Sequence, residues 1–286
     1  MKNMLMYYYN INNLNYYKQN DNIFFDEYNN IYILEVVYNK NEIYNIYKFI
    51  EKDPKFYKIL HNINNDLITN IYGINYIFMR KNDNKPSLYD SITNNKKILI
   101  NNSISKPLWN KLWATKIDYY EYQLAHIVGN YKLIDESINY YIGLSENAIS
   151  YLKYNLTNDY SLDLVLSHKR IEENNYYNPL NLTVDYRARD VAGYLKFLFF
   201  QRKYHNFDFL SFFYKLNFNY NEYIMTFSRV IFPSFYFDVY DKIINKNENE
   251  IILLELLKRV DEYEDYIKMV YIEINKVFKI PKLDWL

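Results

Sequence analysis

The rhythm of apolar and polar positions changes about a third of the way along the chain. Residues 23–25 and 31–38 are short runs of β-branched and aromatic residues on either side of Asp26-Glu-Tyr-Asn-Asn30. Such runs around a turn-forming cluster predict a hairpin. In residues 42–60, Ile43, Ile46, Tyr47 and Ile50 recur at helical spacing, with Asn41 placed to cap them. Asp53-Pro54 interrupts this stretch, because a proline drives the residue before it out of the helical region, so a break or two short helices are expected. Residues 67–71 and 74–79 flank Tyr72-Gly73 and predict a second hairpin. Residues 81–86 read as a polar loop and 88–93 as one or two helical turns.

Helical patterning takes over near Pro107, which suits a first helical turn after Ser105. Trp109, Leu112, Trp113, Lys116, Ile117, Tyr120 and Leu124 form one stripe out to Val128, and Gly129 marks its end. Residues 137–154 predict a second helix with Tyr141, Leu144, Ala148, Ile149 and Leu152 on its core face. Glu146-Asn147 in it reads as a packing or hydrogen-bonding pair. Short strands at 162–166 and 180–184 enclose a polar segment, and almost everything from Asp190 onward is helix, in segments 190–204, 207–216, 220–230, 235–244, 248–259 and 261–278. No fixed-period repeat is present. The reading is α+β: a strand-rich part over 1–100 and a helical part over 101–286 with a strand-loop-strand insert at 162–185.

Composition changes this picture little. The 286 residues carry 34 Lys+Arg against 34 Asp+Glu, which gives no basic surplus for a general nucleic-acid binder. With no cysteine, disulfides, thiolate catalysis and Cys-ligated zinc are excluded. The four histidines are scattered, no Gly-x-Ser-x-Gly elbow occurs, and no apolar run approaches a membrane span. No signal peptide is visible in the first twenty residues, so a cytoplasmic protein is expected. The 36 tyrosines are conspicuous. Together with the Asn and Ile excess they follow A/T-rich codons. The sharper alternative is a Tyr-rich adhesive or cross-linkable structural protein.

The chemistry-bearing stretch is residues 162–200, LDLVLSHKRIEENNYYNPLNLTVDYRARDVAGYLKFLFF. A strand delivers His168, a polar loop Asn175, a second strand Asp185, and Asp190 opens a helix. This order resembles the catalytic segment of the aminoglycoside phosphotransferase and choline kinase branch of the protein-kinase-like fold. The resemblance implies a two-lobed fold with a small antiparallel-sheet lobe and a mainly helical lobe. It puts His168 at the family's loop histidine, Asn175 and Asp185 at its two magnesium ligands, and Asp190 at the aspartate that anchors the loop. Such ligands serve phosphoryl transfer, which is mostly positioning and charge neutralisation.

Two departures stand against activity. The family's catalytic-base position holds Arg170, which accepts no proton at usable pH. Residues 31–38 contain no lysine for the nucleotide phosphates, only Glu35, and no glycine-rich loop precedes them. Within the branch, the phrases Trp109-Asn-Lys-Leu-Trp113, Lys116-Ile-Asp-Tyr-Tyr-Glu121 and Tyr140-Tyr-Ile-Gly-Leu-Ser-Glu-Asn-Ala148, with the block from His168 to Phe200, resemble spore-coat-associated kinase-like proteins of the CotS and YutH type. That resemblance implies a pseudokinase-like binding or scaffold protein of a Firmicutes-related bacterium, with spore or envelope association. Its partner, a protein or a small molecule, is not specified. The alternative is an active small-molecule phosphotransferase with an unusual base, Asp163 or Glu172, in which case ATP and Mg²⁺ are the expected cofactors. Lys169, Arg170, Arg187, Arg189 and Lys196 read as a solvated basic surface, or as an anion site in place of the metal.

Overall fold

The computed structural model describes the whole chain except residues 18–19, 83–85, 95–105, 160–161, 247 and 285–286. It divides into two compact units, one of Met1–Ser91 with His168–Val184, the other of Ile92–Ser167 with Asp185–Leu286.

The first unit opens on helix α1 (Lys2–Tyr9), then strands β1 (Asn15–Tyr17), β2 (Asn20–Phe25) and β3 (Ile31–Val36), helix α2 (Lys40–Ile50), and strands β4 (Lys58–Ile59), β5 (Thr69–Ile71) and β6 (Ile74–Arg80). The strands form one antiparallel sheet in the order β1-β2-β3-β6-β4, with β5 also paired to β6. Phe24, Tyr32, Leu34 and Phe78 from the sheet bury against Leu5 and Tyr9 of α1. The turn after β2 is held by Asp26, whose carboxylate accepts from the Tyr28 and Asn30 amides at 2.9 Å and from the Tyr32 hydroxyl at 2.8 Å. Helix α2 is capped by Asn39, which accepts from Glu42 N at 3.2 Å, and not by Asn41. After Pro54 the chain enters β4 rather than a second helix. Tyr72 and Gly73 both have positive φ, 52° and 84°. This is the signature of the tight hairpin expected there. The asparagine excess has a use: Asn10, Asn13, Asn29, Asn65 and Asn217 all take positive φ, in a chain with only four glycines.

Helix α3 (Leu88–Thr93) leads toward the second unit, whose helices begin with α4 (Trp109–Ile127) and α5 (Lys132–Asn155). Pro107 lies just before α4, whose cap is Leu108, so it does not occupy the first turn; Ser105 lies outside the described residues. Leu112, placed on the apolar stripe, is 44% exposed. Helix α5 starts a turn and a half earlier than the pattern indicates, and Glu146 and Asn147 face solvent. Strands β7 (Leu164–His168) and β8 (Leu182–Tyr186) form a two-stranded sheet of their own. Both lie about two residues later than read from the sequence, which places Asp185 inside a strand. The remainder is α6 (Ala188–Phe200), α7 (Phe209–Leu216), α8 (Tyr220–Ile231), α9 (Ser234–Lys246), α10 (Leu254–Leu257) and α11 (Val260–Val277).

Aromatic stacking fills this helical core. Trp113 lies 4.4 Å from Phe232, Tyr120 4.4 Å from Phe237 and Tyr141 3.8 Å from Tyr236, ring centre to ring centre. Two buried phenols bond helix carbonyls: Tyr263 donates to Val230 O and Tyr266 to Leu195 O, both at 2.6 Å. Tyrosine serves here as a core ring with a polar tip that satisfies helix carbonyls. No helix among the described residues is long and apolar enough to cross a membrane.

Candidate functional site

Each sequence-identified residue has a definite place. His168 ends β7, is buried, and stacks on Tyr176 with ring centres 3.7 Å apart. Arg170 and Asn175 lie on the loop that follows, in the same unit. Asn181 staples that loop: its Oδ1 accepts from Arg170 N at 3.0 Å, and its Nδ2 donates to Arg170 O at 2.9 Å and to Asn175 O at 3.1 Å. Asn178 does the same from the other side, donating from Nδ2 to Asn175 Oδ1 at 2.8 Å and to Glu35 Oε1 at 2.7 Å. The Asn175 side-chain oxygen, the atom a metal would need, thus accepts from a neighbouring amide. Lys169 pairs with Glu42 of α2 at 3.0 Å. Sequence reading missed Asn178 and Asn181, because in so asparagine-rich a chain two more carry no signal. Asn178 before Pro179 was the one local hint of a turn.

Glu35 is the one charged residue of β3. Burial raises its carboxyl above its ordinary value, partly offset by the Asn178 bond. A carboxyl raised in the folded state stabilises fully below its unfolded pKa, and that contribution is lost as pH rises through the folded value. Glu35→Gln keeps an acceptor for Asn178 and removes the charge. The variant should therefore melt higher than wild type at neutral pH, with the difference vanishing below about pH 4. Thermal melts across that range test this.

Asp185 is built differently, wholly within the second unit. It is 1% exposed. Oδ2 meets Lys106 Nζ at 2.8 Å and the Arg189 guanidinium at 2.6 Å, while Oδ1 accepts from Trp109 Nε1 at 3.0 Å and from Tyr186 N at 2.8 Å. Burial alone would raise this carboxyl, but Arg189 and Lys106 overcome it and hold Asp185 below the usual range. Arg229, on α8, lies over the Trp109 ring at 4.8 Å. Burial, followed by repulsion from Arg189, pulls its guanidinium down, and Asp185, Asp190 and Asp238 pull it back. Lys106, Arg189 and Arg229 are thus the cations whose charges act on Asp185. Asp190 is buried in the first turn of α6; it is not the cap, which is Arg187.

The donor set does not fit a magnesium ion at Asp185. Magnesium keeps near-octahedral oxygen ligation and needs carboxylate oxygens free to reach it. Here both oxygens are engaged by two cations and two N–H donors. Among the described residues no group of three or more His, Cys, Asp or Glu is arranged to hold a metal. Within the second unit, the basic residues read as a solvated surface or an anion site are each engaged separately. Arg189 is spent on Asp185, Arg187 donates to Leu216 O at 2.6 Å, and Lys196 is buried with Nζ on Phe232 O at 2.6 Å. Lys106, Trp109 and Arg229 were not legible as partners of Asp185, since the entry into α4 and the distant α8 supply them.

The chain is 26% identical over 216 residues to the endospore coat-associated protein YutH of Bacillus subtilis, which covers 62% of this chain and 61% of that protein. The match thus spans about three fifths of the relative's length. An aminoglycoside phosphotransferase from Alicyclobacillus acidocaldarius superposes with a TM-score of 0.56 at 12% identity, over 92% of both chains. Spectinomycin phosphotransferase, solved with ADP and spectinomycin, gives 0.52 at 13% identity, over 93% of this chain and 92% of its own. At such identities these neighbours establish the kinase-like fold. The family described as "Spore coat putative kinase YutH" matches residues 2–270, and the chain belongs to that family.

Proposed function

We propose that this chain is a kinase-like binding or scaffold protein of the spore coat that does not transfer phosphate. One observation carries the reading: Asp185, at the position of the family's metal-binding aspartate, is clamped by Lys106 and Arg189. Arg170 at the base position agrees with it, since a guanidinium cannot take a proton from a substrate hydroxyl. The loop from His168 to Asn181 keeps its shape through asparagine amides and the His168–Tyr176 stack, so it has no need of a metal or nucleotide to order it. The coat association of the Bacillus subtilis relative supports a place in the same kind of assembly, with a protein partner.

Incubation with ATP, Mg²⁺ and a panel of small hydroxyl and amine acceptors tests the loss of transfer. The expected result is nucleotide consumption no faster than in protein-free buffer. Turnover that disappears in a folded Asp185→Asn variant would overturn the reading.

A further inference from the structure

The first unit contains a cavity of about 580 Å³ that includes none of His168, Arg170, Asn175 or Asp185. The end of α2, the segment through Pro54 to β4, and the end of β6 form its walls. Asn82 closes one side by donating from its side chain to Pro54 O. Four cationic side chains line it: Lys52, Lys58, Arg80 and Lys81. Against them stand only Glu51 and Asp53, and Asp53 is already paired with Lys55 at 3.1 Å. The chain as a whole is neutral, so this local surplus is not a sample of a basic protein.

The strand register makes the surplus costly. Lys58 of β4 and Arg80 of β6 are directly opposite each other in the antiparallel ladder. Like charges in that position sit with Cβ atoms roughly 5 Å apart and destabilise the pair. Among the described residues neither has an ion-pair partner, nor do Lys52 and Lys81. Tyr47, Phe56 and Tyr57 supply apolar wall beneath the charges. Four cations converging on a concave surface, with only Glu51 and the already paired Asp53 against them, are an arrangement that a bound anion completes. Arginine offers a planar fork and lysine a mobile point charge, a combination suited to phosphate oxygens.

We propose that this cavity binds a small soluble polyanion carrying adjacent phosphate groups, with Lys58 and Arg80 as its principal contacts. The proposal is independent of whether the chain transfers phosphate. Calorimetric titration of the whole chain with sodium tripolyphosphate at fixed ionic strength tests it, beside citrate as a carboxylate of similar charge. Saturable one-to-one binding is expected, tighter than citrate, and weakened at least about tenfold in Lys58→Gln/Arg80→Gln. The paired change Lys52→Gln/Lys81→Gln, off the strand pair, gives the same readout if the first variant does not fold. Absence of saturable binding to wild type, undiminished affinity in the variants, or citrate binding as tight as tripolyphosphate would overturn the assignment.

Discussion

Replacing Asp185 with alanine should cost about 3 kcal/mol of stability. The carboxylate is 1% exposed and neutralises Lys106 and Arg189 at 2.8 and 2.6 Å. Removing one partner of a buried pair leaves the other charges desolvated and uncompensated, a loss of about 3–5 kcal/mol. The low end applies because the side chains of Lys106 and Arg189 keep 21% and 20% exposure and can turn toward water. Asp185→Asn should cost less, since the amide oxygen still accepts from Trp109. Urea unfolding of the two variants beside wild type measures this. Asp185 is held below its ordinary range, so its contribution is present above the unfolded carboxylate pKa and lost as pH falls through the folded one. The gap between wild type and Asp185→Asn should therefore close in strong acid. A metal ligand with no structural duty would behave in the opposite way, with activity lost and stability nearly kept.

Trp109→Ala should be at least as damaging, at about 4 kcal/mol. The ring is 2% exposed, stacks on Trp113 at 5.6 Å, meets Tyr186 edge-on, and carries Arg229 on its face. Trp109→Phe keeps most of that packing and removes only the N–H bonded to Asp185, so about 1.5 kcal/mol is expected. The double variant Trp109→Phe/Asp185→Ala should cost measurably less than the sum of its parts, because both changes remove the same hydrogen bond. Strict additivity would mean that the indole and the carboxylate do not act together. A double-mutant cycle by chemical unfolding decides between them.

Where local chemistry decides a structure, the residues announced it. The Asp26–Asn30 cluster made its turn, Tyr72-Gly73 made the tight hairpin, and the Trp109–Tyr120 stripe made a buried helix face. Where the outcome depends on distant segments, the sequence was silent. Nothing in residues 2–9 marks α1, because its apolar face is a tyrosine and methionine mixture that gains meaning only against Phe24 and Phe78. Residues 58 and 59 fall in the stretch read as helical, yet pairing with β6 makes a short strand of them. The order His168, Asn175, Asp185, Asp190 was readable and led to the right family. The state of Asp185 was not, since Lys106, Trp109 and Arg229 approach it from elsewhere in the chain. Arg189, four residues on, and the amide of the adjacent Tyr186 were the partners close in sequence.

Thermal unfolding with ATP held at millimolar concentration, in the presence and absence of Mg²⁺, bears most directly on whether the phosphotransferase site has been replaced by an ion cluster. Reading only the Mg²⁺-dependent difference separates this question from anion binding at Lys58 and Arg80. The expected result is no upward shift on adding the metal, in wild type and in Asp185→Asn alike. A Mg²⁺-dependent rise in wild type that is abolished in Asp185→Asn would contradict it.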